Sequence, residues 1–183
     1  YRLTTPLKNP ELLGLRNMNH ISKKERYLNF DGRKLIALLR ILGAYITEGW
    51  TTRNKRNGSF HFGISNKNRK WIFNLKRDLE LLGYNTNITK TKDKLFQLIV
   101  SNKSLFVYIR KEAGFGSHNK FIPSFIFQLK EEFQKEFLKT IIFGDGEIIK
   151  NKNYDTNRFT TVSKRMATGF SLLLTLLKQN YSL

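Results

Sequence analysis

The stretch ILGAYITEGW, residues 41–50, runs apolar for six residues and then ends in an acid, a glycine and a tryptophan. Together with the residues before it, RKLIALLR from Arg33, it carries apolar side chains on most of its sides. That pattern predicts a buried helix rather than a surface one. The helix would end on Glu48, where the aligned peptide dipoles leave partial negative charge. A carboxylate at that end is disfavoured by roughly 0.3–1 kcal/mol, and Lys or Arg is the usual occupant. Something outside the helix must require the acid.

The small residues Gly43 and Thr47 stand at i and i+4 on this helix, so one face lets another backbone come close. After Gly49 the period changes. WTTR is strand-like, NKRNG is turn-like, and SFHFGIS alternates, with Phe60, Phe62 and Ile64 on one side and Ser59, His61, Gly63 and Ser65 on the other. This predicts a β-hairpin with one apolar and one polar face. NKNRKWIFNLKRDLELLGY predicts an amphipathic helix, with Trp71, Leu75, Leu79 and Leu82 facing the core and Gly83 as the stop. A second hairpin spans about 85–101 and turns near Lys92-Asp93. NKSLFVYIRKEAG reads as a short helix and GFGSHNKFIPSF as a loop. Residues 1–32 read as a lead-in with no assigned chemistry.

The chain then repeats itself. EEFQKEFLKTIIFGDGEI is again a helix that turns apolar and ends in acid-glycine, at Asp145-Gly146. Its small residues Thr140 and Gly144 again stand at i and i+4. NRFTTVSKRMATGFSLLLTLLKQNY parallels the first hairpin and its helix. Glu48 precedes Ser65 by 17 residues, Asp145 precedes Ser163 by 18, and the two acids are 97 residues apart (145 − 48). Such a repeat determines the architecture. The first copy continues into a second hairpin and helix, whereas the second ends at Leu183, so a truncated second copy is expected. Tyr1 in place of Met predicts a fragment of a longer reading frame.

Composition narrows the partner. The 183 residues carry 33 Lys and Arg against 14 Asp and Glu, a net charge of +19, interleaved with Phe and Tyr. Such a domain calls for a polyanion, and nucleic acid leads. No basic amphipathic helix stands out for an anionic membrane surface, and no apolar run reaches the roughly 18 residues of a span. There is no cysteine, which excludes disulfides and thiolate zinc sites. His20, His61 and His118 form no ligand-spaced pair. With no signal pattern at the N-terminus, an intracellular protein of the cytoplasm or an organelle matrix is expected.

ILGAYITEG and LKTIIFGDG resemble the two copies of the motif of the LAGLIDADG homing endonucleases. LGAYITEGW, NKFIP and FLKTIIFGDGE together look most like the intein-borne, dodecapeptide branch. The resemblance covers about residues 33–183. It implies an α+β fold of two αββαββα half-domains, 33–118 and 119–183, the second partial, with saddle-shaped antiparallel sheets about a pseudo-twofold axis. Gly43, Thr47, Thr140 and Gly144 would let the motif helices pack backbone to backbone on that axis. Glu48 and Asp145, beside the backbone of Gly49 and Gly146, would hold divalent metal, Mg²⁺ by the chemistry of oxygen and phosphate ligands. Glu replaces the first motif's Asp and keeps the carboxylate. Lys120 of NKFIP would reach the active site, as a third catalytic residue. On the hairpins, Thr51, Arg53, Lys55, Arg56, His61, Ser65, Lys90, Lys92, Lys94 and Gln97 would contact double-stranded DNA, as a β-ribbon fits the major groove.

Each residue also has a plain reading. Glu48 or Asp145 alone is an ordinary solvated acid, and it is the repeated pair that favours metal. Glu147 is out of register with Glu48. Lys120 alone is a loop lysine on a phosphate, and each hairpin polar residue alone is a solvated side chain. Phe60, Phe62, Ile64, Trp71 and the segment FIPSFIF read as core. The function expected is a site-specific endonuclease that makes a metal-dependent, staggered double-strand break and so prompts copying of its own element. It would act as a monomer with an internal pseudo-dimer, embedded in a host protein as an intein. The splicing residues would then lie outside 1–183, because the chain has neither a Cys nucleophile nor a terminal His-Asn pair. The alternative is a catalytically inactive protein of the same fold, an intron RNA maturase or a DNA-binding regulator. A ribosome-like basic protein does not account for the two matched motifs.

Overall fold

A computed structural model of the chain describes residues 32–150 and 155–180, with the side chains of 148–157 excepted. The lead-in lies outside the described residues. The first copy runs α1 (Gly32–Glu48), β1 (Gly49–Arg53), β2 (Phe60–Asn66), α2 (Arg69–Leu81), β3 (Asn87–Lys90), β4 (Phe96–Ser101) and α3 (Lys103–Ala113). A 3₁₀ turn at Ser124–Gln128 leads to the second copy: α4 (Glu131–Asp145), β5 (Gly146–Lys150), β6 (Asp155–Phe159) and α5 (Lys164–Leu176). The first copy is the expected αββαββα unit, and the second repeats its αββα portion. No helix among the described residues is long and apolar enough to cross a membrane.

The all-round apolarity of α1 has a direct cause. Leu39, Ile41, Leu42 and Tyr45 are fully buried because α1 packs against α2 and the sheet on one side and α4 on another. Each such side chain contributes about 1.5–3 kcal/mol before entropy is counted. The first sheet is antiparallel with strand order β1-β2-β4-β3. Phe62 and Ile64 of β2, with Leu98 and Val100 of β4, meet the helices. FIPSFIF contributes Ile122, Phe125 and Ile126 to the same core. Trp71 does not sit deep in it: the ring is half-buried and packs on Phe143, which is itself exposed, with centroids 5.1 Å apart. Phe60 is also only half-buried. Both stand where the apolar pattern continues past the edge of the element that covers it.

The two motif helices cross where the small residues lie. A Cβ on Gly43 would come 3.0 Å from Thr140 Cβ, and one on Gly144 would come 2.2 Å from Thr47 Oγ1. Each contact joins a residue to its own equivalent, 97 positions on (140 − 43, 144 − 47). A residue that touches its own equivalent lies on the axis relating the copies, so both contacts mark the pseudo-twofold.

The repeat slips after the motifs. Ser163 caps α5 through its Oγ, which accepts from Met166 N, as the Asn68 side chain caps α2 by accepting from Trp71 N. Ser163 is therefore the equivalent of Asn68, 95 residues apart (163 − 68), and not of Ser65 as the sequence spacing suggests. The β5–β6 hairpin of the second copy is two residues shorter than the β1–β2 hairpin of the first, which counting from the acids alone does not reveal.

Candidate active site

Because α1 and α4 cross on the axis, their C-terminal residues, Glu48 and Asp145, come out side by side. In each copy the next residue is the glycine that opens a strand. A Cβ on Gly49 would lie 2.4 Å from Tyr45 Cα, and one on Gly146 would lie 2.2 Å from Ile142 O. The chain doubles back so tightly over the last helical turn that no side chain fits. Each acid is thereby held at a fixed corner between helix and strand.

Lys120 reaches this corner from the loop between the copies. It is 8% exposed, and its Nζ donates to Tyr45 O at 2.7 Å and to Gly49 O at 2.8 Å. These carbonyls close the C-terminal end of α1, so the ammonium offsets the negative end of the helix that makes Glu48 unexpected there. The backbone of Lys120 is fixed in turn by Ser163, whose buried Oγ donates to Lys120 O at 2.6 Å. Sequence reading used Ser163 only to mark the repeat, yet its cap ties the second copy to the lysine.

Asn66 was missed altogether. Its Oδ1 accepts from Asn68 N at 2.8 Å, an Asx turn that leads into the cap of α2, and this orients its Nδ2 to donate to Glu48 Oε1 at 2.7 Å. The signal was present as an Asn two residues before an N-cap Asn. One carboxylate oxygen of Glu48, Oε1, is thus held by Asn66. Asn66→Ala is expected to leave the fold intact and to weaken divalent-cation binding beside Glu48 about 10- to 100-fold, read by calorimetric titration of Mn²⁺ into the two proteins.

Burial pushes the Glu48 carboxyl above its ordinary range; Asn66 and Lys120 oppose this, and the like charge of Asp145 adds to it. Burial also raises Asp145, against the pull of Lys120. Desolvation lowers Lys120 from 10.5 to about 8, with Asp145 and Glu48 acting the other way. The half-buried Glu48 and the more exposed Asp145, beside one buried ammonium, form a site in which another cation would relieve the acids. Among the described residues no group of three or more His, Cys, Asp or Glu gathers to hold a metal. Glu147 is exposed and faces Arg158 at 4.0 Å.

The register divides the ten hairpin residues expected to contact DNA between two faces and two turns. His61, Ser65 and Gln97 share the face of the sheet that no helix among the described residues covers, with His61 opposite Ser101 and Ser65 opposite Gln97. Lys55 and Arg56 lie in the first turn and Lys92 and Lys94 in the second. Thr51, Arg53 and Lys90 pair with Phe62, Phe60 and Phe96, on the helix-side parity of the strands, and so start from the other face of the sheet. Arg53 stands 5.3 Å over the Phe60 ring and Lys90 stands 5.7 Å over Phe96. On the open face their places are taken by Trp50, Thr52 and Thr89. The Trp50 indole lies flat across Gly63, where a Cβ would come 2.3 Å from the ring, and its Nε1 donates to Ser65 Oγ at 3.1 Å.

Residues 36–112 match the LAGLIDADG-like domain family. The chain is 37% identical over 149 residues to the uncharacterized protein MJ1054 of Methanocaldococcus jannaschii, covering 75% of this chain and 16% of that protein. It is 30% identical over 117 residues to the DNA polymerase II large subunit of Thermococcus kodakarensis, covering 62% of this chain and 6% of that protein. The chain thus spans less than a fifth of either relative. Among solved structures it resembles I-DmoI in complex with DNA and Mn, with a TM-score of 0.53 and 20% identity over 78% of this chain and 77% of that one. A complex of I-DmoI with DNA and Ca gives a TM-score of 0.52, again at 20% identity, over 82% and 76%. With two acid-ended helices crossed on an internal axis and a four-stranded sheet beside them, the chain has the LAGLIDADG fold, and its residues 36–112 form a LAGLIDADG-like domain.

Proposed function

We propose that the chain is the nuclease part of a site-specific DNA endonuclease that cuts both strands with a divalent cation. The carrying observation is the convergence of Glu48 and Asp145 on the axis, one from each copy, in a chain of net charge +19. The halves are taken as 33–118 and 119–183. The open sheet face carries His61, Ser65 and Gln97, and the turns carry Lys55, Arg56, Lys92 and Lys94 toward phosphate. I-DmoI, which shares the fold, is known in complexes with DNA and Mn or Ca.

The donor set fits a hard cation. Mg²⁺ commonly takes one or two carboxylates and fills its shell with water and substrate phosphate, so the two acids suffice without a third side chain. When bound, such a cation polarises the phosphate, lowers the pKa of water and stabilises the leaving oxygen. The protein supplies the rest: Glu48 and Asp145 bind, Asn66 orients Glu48, and Lys120 holds positive charge beside both acids, where charge builds up on phosphate.

The match to small stretches of long polymerases supports an element embedded in a host protein, in the manner of an intein. The test begins with duplexes that the chain selects from a random pool. Cleavage of these in Mg²⁺ is expected, abolished by EDTA and reduced about 10²–10³-fold or more in Glu48→Gln and in Asp145→Asn with binding retained. Cutting by both variants at the original rate would sink the proposal. Tight binding without any cutting would favour the inactive, binding-only member of the fold.

A further inference from the structure

Four side chains at the end of the open sheet face form a hydrogen-bond chain whose direction can be worked out. Asn57 Oδ1 accepts from the backbone N–H of Ser59 at 3.0 Å. A backbone N–H only donates, so this atom of Asn57 is the oxygen. Ser59 Oγ lies 2.7 Å from the same oxygen and must donate its only hydrogen there. Ser59 Oγ also lies 2.8 Å from His61 Nε2, and with its hydrogen already committed it accepts. His61 Nε2 therefore carries a hydrogen. In the neutral ring Nδ1 is then a bare acceptor, and Ser101 Oγ, 2.9 Å away, donates to it. The outcome is a Ser101 hydroxyl with lone pairs toward solvent and no free hydrogen. Both ring nitrogens of His61 are engaged, so the imidazole itself reads nothing.

Resting on the DNA-binding reading above, we propose that Ser101 is a specificity-determining residue held acceptor-only by His61, so that this point of the sheet selects a base-edge amino group, adenine N6 or cytosine N4. In the major groove these are the amino donors, whereas guanine and thymine present acceptors there that an acceptor-only hydroxyl would face unpaired. His61 acts as a positioning residue. A serine with a freely rotating hydroxyl would accept either class of base, so the discrimination arises from the locked chain and not from serine alone.

Two measurements test this. At pH 8, long-range ¹H–¹⁵N spectra of the chain should show His61 protonated on Nε2 and bare on Nδ1; the opposite tautomer overturns the proposal. Selection from a random duplex pool at the same pH should give, for the unaltered chain, one position where adenine or cytosine on one strand is preferred by about fivefold or more. Ser101→Ala and His61→Ala should lose that preference while other positions keep theirs, and Ser101→Thr should restore it. An enriched site unchanged by Ser101→Ala overturns this inference alone. No enriched sequence for the unaltered chain overturns the DNA-reading function and this inference with it.

Discussion

Lys120→Met is expected to reduce cleavage about 10²–10³-fold while leaving the protein as stable as before, or more so. Desolvation holds the ammonium at about 8, against 10.5 for an ordinary lysine. Between those values the unfolded chain keeps a proton that the folded chain has released, so stability rises with pH across that window. Below pH 8 the folded state bears the whole burden of the buried charge, at most about 3 kcal/mol for that difference. Methionine removes the charge at similar length. Against this, Tyr45 O and Gly49 O lose a donor, costing about 1 kcal/mol each. The balance is zero to about 1 kcal/mol in favour of the variant at pH 7. Urea unfolding and single-turnover cleavage of the same preparations check both halves. A variant that unfolds readily would show that Lys120 is mainly a helix clamp, and one that still cuts would remove it from the chemistry.

The second large effect lies away from the site. Asp78 on α2 is buried, and its Oδ2 has no hydrogen-bond partner among the described residues. Arg40 on α1 stands between it and Glu136 on α4, with Nη1 3.7 Å from Asp78 Oδ1 and Nε donating to Glu136 Oε1 at 2.7 Å. Burial pushes Asp78 from 3.8 to about 6; Arg40 opposes this, and Glu136 adds to it. From pH 3.8 to 6 the folded chain holds a proton that the unfolded chain has lost, so stability falls as pH rises through that window. The loss above pH 6 is at most about 3 kcal/mol. Asp78→Asn is therefore expected to raise stability by about 1–2 kcal/mol at pH 7.5, after the unpartnered amide is discounted, and to leave the variant about 1 kcal/mol less stable than the unaltered protein near pH 4, where only the amide cost remains. Equal stabilities at pH 7.5 would show that water or Arg40 already satisfies the acid. The second copy avoids the problem: counted from the helix caps, Leu173 stands where Asp78 does, and it is fully buried.

The helices were readable because their signals are local. The apolar period of α1, the acid-glycine ends and the stops at Gly83 and after Ala113 all lie within one element. The doubled motif was readable because two copies carry far more information than one. Strand register was not, since it is set by contacts across the turn. The six-residue turn between Arg53 and Phe60 puts Thr51 opposite Phe62, and alternation in β2 alone says nothing of that. The Asn66 hydrogen bond and the Ser163 clamp on Lys120 escaped for the same reason. Each joins residues 18 or 43 positions apart through a single hydrogen bond, and no periodicity announces such a bond. Arg40 and Asp78 broke the apolar pattern of their helices in plain view, but only the packed structure shows that each break faces the other.

At the helix crossing each level of contact sets one glycine against one threonine, Gly43 under Thr140 and Gly144 under Thr47. Had either copy met a duplicate of itself, one level would bring threonine against threonine with no room for the methyls, and the other would leave glycine facing glycine across a gap. Knob and notch have been distributed unequally between the copies, so each recognises the other and rejects its own kind. If the chain were cut between α3 and α4, the shape of the seam would favour the unlike pair of pieces over either like pair. The duplication has passed from repetition to division of labour at its own seam.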